Sequence, residues 1–355
     1  MEKNGSSQSH HLADLKGRRI ILIGGAGFIG HNLALTLAEQ GANVHIVDGL
    51  QVNNLLWFSA GHGGVENGEL YLQFINERLD RLRKAGIPLY IQDVRDYHAL
   101  SRIMGEVQPQ TVIHLAAVAH AGRSNKDPYS TFDHSLRTLE NALDCSRDRV
   151  EHFIYFSSSM VYGNFEVPEV TEEEILKPIG IYGALKEAGE KMVIAYNQVF
   201  NLPYTIIRPS ALYGPRCVSR RVGQIFIENA FENKPLRMDG DGSERLDFTY
   251  IDDLVQGISL VIEKEVSRNH IFNLTFGKSR TVKDLLGEIK KEFPNLKIES
   301  VVRDKLMPFR GTLSVKKAEK LLGYKPEYPI EKGIPKYIEW YKGMRDRRRS
   351  HVATS

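Results

Sequence analysis

Residues 18 to 48, "RRIILIGGAGFIGHNLALTLAEQGANVHIVD", constrain the fold more than any other part of the chain. An apolar run enters a glycine turn, helical spacing follows, a Gly breaks it, and a second apolar run ends on Asp48. That is the pattern of a βαβ unit. Gly24, Gly27 and Gly30 stand at GxxGxxG spacing between the first strand and the helix, with Phe28 and Ile29 inside the turn. Glycine there permits a tight turn and close backbone approach, so a pyrophosphate can meet the unpaired N–H groups of the helix start. Strand before, helix after and Asp48 beyond form the context that a dinucleotide site requires. A carboxylate at Asp48 accepts hydrogen bonds from a ribose diol and repels a 2′-phosphate, which favours NAD over NADP. The alternative, an Asp that only caps the strand end, stays open.

The alternation continues. "IPLYIQD", "TVIHLAA", "EHFIYFSSS" and "PYTIIRP" read as buried strands, separated by helical segments around 97–107, 128–147 and 181–200. Strands that are apolar throughout and alternate with helices imply an α/β fold, a doubly wound parallel sheet covered on both faces. Asp93 and Val94 at the end of the third strand are expected beside the cofactor, Asp93 at the adenine edge. Leu115, Ala116 and Ala117 after the fourth strand, and Pro209 after "IIR", complete that bed, the two alanines being small enough for a cofactor to lie close to the sheet. His114 is expected to be a packed core histidine.

Boundaries follow from where this rhythm breaks. We expect a polar tail at 1–16, a cofactor domain from 17–209 plus 249–275, a smaller C-terminal α/β substrate lobe from 210–248 plus 276–345, and a basic tail at 346–355. An insert over 51–86 carries Leu70, Phe74, Ile75, Leu79 and Leu82 at helical spacing, which predicts a surface helix after a glycine-rich loop.

Bulk charge announces no substrate: Lys plus Arg is 47 against 44 Asp plus Glu, a net +3 that gives no reason to expect nucleic acid or an acidic membrane. Cys145 and Cys217 show no CxxC or Cys/His spacing, against a disulfide framework or zinc site, and a reducing cytoplasm is expected. No metal is assigned, and His10 and His11, in a polar tail, receive no role. No run is long and apolar enough to span a bilayer.

In "IYGALKEAGEKMVIAYNQ", Tyr182 and Lys186 are i and i+4 on one helix face. Tyr titrates near 10, and an adjacent ammonium lowers it towards service as a base. Just before comes "FIYFSSSMVYG", three serines after a strand.

Taken in order, "GGAGFIG", "DVRD", "HLAA", "SSSMVYG", "YGALK", "RPSALYGPR" and "DFTYIDD" resemble the extended short-chain dehydrogenase/reductases, in the NAD-dependent nucleotide-sugar epimerase and dehydratase group. The resemblance runs from about residue 18 to 345 and implies a Rossmann cofactor domain. It implies that Tyr182, as phenolate, takes the proton of a sugar hydroxyl whose carbon gives a hydride to NAD. Ser158 then orients that hydroxyl, and Lys186 holds the ribose and lowers the tyrosine pKa. Ser157 is expected to serve the strand end and the cofactor. The 4,6-dehydratases of this group carry an Asp-Glu pair where Ser159 and Met160 stand here, and the decarboxylating relatives carry Glu at Met160's place. Those two residues are expected to face the sugar without ionising. A 4-epimerase acting on a nucleotide-diphosphate sugar, UDP-sugars favoured, is therefore expected, with a C4 dehydrogenase, reductase or dehydratase as the alternative and a non-catalytic NAD-binding regulator as a second.

Departures from the group's pattern bear on substrate. Ala211 replaces a diphosphate-binding Asn, and Leu246 replaces an Arg, with Arg245 displaced by one. Arg216, Arg245 and Arg310 become candidates for the diphosphate, and Arg123 and Ser124 for the sugar. Ala211 and Val218 lack the polar groups of uronate epimerases, which favours a neutral hexose. His134 replaces an Asn. The group also implies a homodimer through the Tyr182 helix and the one before it.

Overall fold

The protein is described here by a computed structural model covering residues 15–52, 54–59, 67–118 and 121–352. His10 and His11 lie outside the described residues. Seven apolar segments form one parallel sheet: β1 Arg19–Ile23, β2 Asn43–Asp48, β3 Leu89–Ile91, β4 Thr111–His114, β5 His152–Phe156, β6 Tyr204–Arg208 and β7 His270–Asn273. Their order is β7-β6-β5-β4-β1-β2-β3. Every residue of β4, β5 and β6 is buried, as expected for strands covered on both faces. The chain leaves β1 towards β2 on one side and reaches β4 on the other, so a topological switch opens above the ends of β1 and β4, where such sheets hold their ligands.

Helices α1 Phe28–Glu39, α2 Gly68–Lys84, α3 Tyr97–Val107, α4 Thr138–Ser146 and α5 Gly180–Phe200 cover the sheet with α7 Ile251–Glu263. Between the last two in sequence lies α6 Val222–Phe231, which packs against α8 Val282–Glu292. The strands of these regions pair in twos outside the large sheet: Leu236–Asp239 runs parallel to Ile298–Val301, and Arg245–Leu246 antiparallel to Arg280–Thr281.

Two expectations change. The insert helix α2 is more than a surface helix: Leu70, Tyr71, Phe74, Ile75, Arg78 and Leu82 are all buried. Its aromatic face meets the C-terminal helix α9, Ile330–Val352, with the Phe74 ring 4.6 Å from Trp340 and 5.5 Å from Tyr341. The basic segment expected as a tail from 346 continues α9 as far as Val352. Lys and Arg are good helix formers, so once Tyr337, Tyr341 and Met344 are buried the helix propagates past its last anchor.

Glu228 on α6 ties these pieces together. Its buried carboxylate accepts from Tyr71 Oη of α2 (2.6 Å), Tyr341 Oη of α9 (2.7 Å) and Gln224 Nε2 (2.8 Å). Glu228→Ala strands these donors without an acceptor, at about 1–3 kcal/mol each. Calorimetry should show a Tm several degrees lower, and an unchanged Tm would contradict this role.

Candidate active site

The glycine turn forms the floor of a cavity at the switch. Gly24 has φ +78°, and a Cβ there would stand 2.7 Å from the Ala116 backbone nitrogen, so only glycine fits. Asp48 fastens the turn from the other side: one carboxylate oxygen accepts from Ala26 N–H (3.0 Å), the other from Leu50 N–H (2.7 Å). Burial raises its pKa, and these two bonds oppose the rise. Asp48 thus braces the turn and also faces the cavity, whose wall includes Gly27, Phe28, Ile29, Gly30, Asp93 and Val94. Leu115, Ala116 and Ala117 close it along β4. A helix start, an acidic strand end and a bed of small residues fit NAD.

Asp93 is partly engaged. Arg95 grips its carboxylate (2.6 Å) and holds it down at about 2, while Gln51 donates to it at 3.2 Å. His134, unexplained by sequence, lies in a π-turn over Asp133–Arg137 and reaches Gln51 (3.4 Å) from the same cavity wall. His114 is buried against Phe153 and Tyr155 and lies off both cavity walls described here.

A second cavity of about 550 Å³ adjoins the first through Ile29, Leu115, Ala117, Leu212 and Arg221. Ser157, Ser158, Ser159, Met160, Tyr182, Lys186 and Pro209 line one side of it. Gly183 lets the helix come that near: a Cβ on it would stand 2.8 Å from the Met160 carbonyl oxygen. Ser158 caps the short turn Ser159–Tyr162, accepting from Met160 N–H at 3.2 Å. Burial raises the Tyr182 pKa, while the Arg221 charge and the neighbouring Ser158 hydroxyl oppose the rise. Lys186 donates to the Phe156 carbonyl (2.6 Å), and burial lowers its ammonium to about 8. Glu190, one turn further along α5, opposes that shift. Ser157 donates its hydroxyl to Glu190, which also forms a buried ion pair with Arg208 at 2.6 Å. The hydroxyl expected to serve the cofactor is therefore already committed to the protein.

The expected substrate contacts divide. Ser159, Met160, Ala211 and Arg310 line the second cavity. Arg216 does not: its guanidinium bonds His31 (3.0 Å), Asn32 (3.2 Å) and Glu77 (3.2 Å), joining α1 to α2. Arg245 is exposed and bonds Ser279. Arg123 stacks over Trp57 at 3.6 Å, and Ser124 is buried in the same short helix; neither is on the wall, where Gly122 stands. In their place the cavity has Arg220, Arg221 and Arg237, which sequence reasoning missed. Two of them stand in the run "GPRCVSRRVG", whose first arginine, Arg216, turns away from the cavity. Val218 lines the first cavity rather than the second. Both cysteines are free, and the described residues contain no cluster of His, Cys, Asp or Glu able to hold a metal ion. No helix of the described residues is long and apolar enough to cross a membrane.

A model of the NAD dependent epimerase/dehydratase family matches residues 20–275. A putative UDP-glucose 4-epimerase of Methanocaldococcus jannaschii is 29% identical, covering 91% of this chain and 98% of its own. A UDP-glucuronate 4-epimerase of Thermodesulfobacterium geofontis is 27% identical, covering 91% and 95%. Among solved structures, UDP-glucose 4-epimerase of Thermotoga maritima with UDP-glucose superposes with a TM-score of 0.79 at 28% identity, covering 91% and 98%.

The buried ammonium has a measurable consequence. Lys186 titrates at about 8 in the folded chain, against an ordinary value of 10.5. Between those values the unfolded chain binds more protons, so this group's contribution to stability rises with pH from about 8 to about 10.5. Below pH 8 the full penalty stands, about 3 kcal/mol. Lys186→Met removes the titration. Denaturant curves at several pH values should show wild type losing ground to the variant as pH falls through that window, whereas a constant difference would contradict it.

Proposed function

This chain belongs to the NAD dependent epimerase/dehydratase family, and on that premise we propose that it is a nucleotide-sugar 4-epimerase acting through a transient 4-keto sugar. The observation that carries this reading is the make-up of the wall beside Tyr182. There Ser159 and Met160 adjoin Ser158, and neither ionises near neutral pH. The carboxylates on the cavity wall, Asp239 and Glu244, come from the smaller lobe, where Glu244 is paired with Arg303. A tyrosine with one serine can move one hydroxyl proton; elimination of water needs a further acid and base beside the sugar.

In this reading the Ser158 hydroxyl positions the 4-hydroxyl of the sugar, and the Tyr182 phenolate takes its proton. Arg221 favours the phenolate by its charge, against the rise that burial causes. NAD, when bound, supplies the site that accepts the hydride and gives it back. Met160 is flexible and apolar, suited to a keto sugar that must turn over before reduction from the other face. The cavity volume is of the size that takes a small-molecule ligand of this class. For the diphosphate, Arg220, Arg221 and Arg237 join Arg310 on the cavity wall and replace Arg216 and Arg245, since guanidinium groups bind phosphate oxygens bidentately. Ala211 adds no donor for a carboxylate, which supports a neutral hexose on UDP over a uronic acid. We also infer a homodimer: Tyr129 and Phe132, in the segment before α4, and Val199 and Phe200 at the end of α5 are exposed hydrophobic residues on the two helical segments expected to pair.

Purified protein incubated with UDP-, GDP-, CDP- and dTDP-sugars and followed by NMR should interconvert C4 epimers of a UDP-hexose without added cofactor. Tyr182→Phe should lower kcat by about 10²–10⁴ while keeping bound NAD. Net NADH release or loss of water from the sugar would contradict the epimerase reading, and a fully active Tyr182→Phe would contradict the mechanism.

A further inference from the structure

Arg78 of α2 is a buried arginine with an unsatisfied donor. It is 0% exposed. Its Nε and Nη2 both donate to the Arg216 carbonyl, the first at 3.0 Å. Nη1 is buried and has no hydrogen-bond partner among the described residues. The Asp48 carboxylate, whose charge favours the guanidinium, has each oxygen already accepting a backbone N–H. A buried cation with an idle N–H is costly, so such a group calls for an anion that this chain does not itself supply.

Its position says which anion. Arg78 lines the cofactor cavity with Gly24, Gly27, Gly30 and Asp48. A short relay links it to the glycine turn: Arg216, whose carbonyl it holds, donates from Nε to His31 Nε2 at 3.0 Å, and His31 Nδ1 donates to the Gly27 carbonyl at 2.9 Å. The imidazole is held neutral by burial and by the two neighbouring arginines, which fits a ring that donates at one nitrogen and accepts at the other. The start of α1 thus meets a guanidinium from the insert across the cavity, two features that both favour negative charge.

We propose that Arg78 Nη1 donates to the pyrophosphate of bound NAD, completing from the insert side the anion cradle that the glycine turn begins. The adenosine ribose falls to Asp48, whose charge repels a further phosphate there. This gives the insert a function: α9 and Glu228 hold α2 against the body of the protein so that it delivers one cation to the cofactor. The assignment is independent of which sugar reaction the enzyme performs.

Binding of ADP and of adenosine to nucleotide-free full-length protein, followed by calorimetry and ligand-observed NMR, separates the pyrophosphate from the rest. Arg78→Met should weaken ADP by about 10- to 100-fold, the range of a charge-assisted hydrogen bond, and leave adenosine within about twofold. Equal weakening of both ligands, or undiminished ADP binding, would overturn the assignment. If the variant fails to fold, a crystal structure of the wild type with ADP decides: Nη1 within hydrogen-bond distance of a phosphate oxygen supports the assignment, and Nη1 bonded only to water or ribose overturns it.

Discussion

Gly24 and Ala116 approach each other across the switch between β1 and β4 so closely that a single methyl on the glycine would reach the alanine backbone. The rest of the site depends on that contact. It brings the turn at the start of α1 level with the end of β4, so that one flat bed serves a dinucleotide. Asp48 then fixes the turn with two backbone hydrogen bonds and still faces the cavity. The same residue thereby combines the capping role and the cofactor-facing position that the sequence had left as alternatives.

A second constraint lies beneath the reacting groups. Arg208 at the end of β6 donates to Glu190 from Nε (2.9 Å) and Nη2 (2.6 Å), and to Tyr162 Oη (2.9 Å); Ser157 completes the set on Glu190. This fully bonded buried network ties β5, β6 and α5 together just under Ser158, Tyr182 and Lys186. Buried charges are tolerable only with such complete bonding, and removing one partner leaves the other costly. Rigidity here keeps a serine, a tyrosine and a lysine in one wall although they come from different elements.

Much of this was legible in the chain. The periodicity of 18–48 and the run of apolar strands specify the parallel sheet, because a period of 2 or 3.6 and a glycine turn are local properties. Tyr182 and Lys186 share a helix face by spacing alone. The arginines were not legible in the same way. Arg216 and Arg220 both have left-handed backbones, φ +65° and +48°, so the segment between them reverses its side-chain directions in a manner no spacing reveals. Arg216 is consequently turned towards α1 while Arg220 and Arg221 face the second cavity. Similarly, the helical spacing in the insert was visible, but its partner α9 lies more than 240 residues later in the chain, and only the fold brings Phe74 against Trp340. Met160 lines the second cavity beside Ser158 and Ser159.

The central claim is that the hydrogen removed from C4 returns to C4. Incubating the protein with a UDP-hexose carrying deuterium at C4 tests this directly, with NMR and mass spectrometry of the recovered sugar. The account predicts that the epimer forms with deuterium retained at C4 and with no net NADH. Deuterium found at C6 beside a 4-keto group, as internal transfer after loss of water requires, or lost from the sugar altogether, would contradict it.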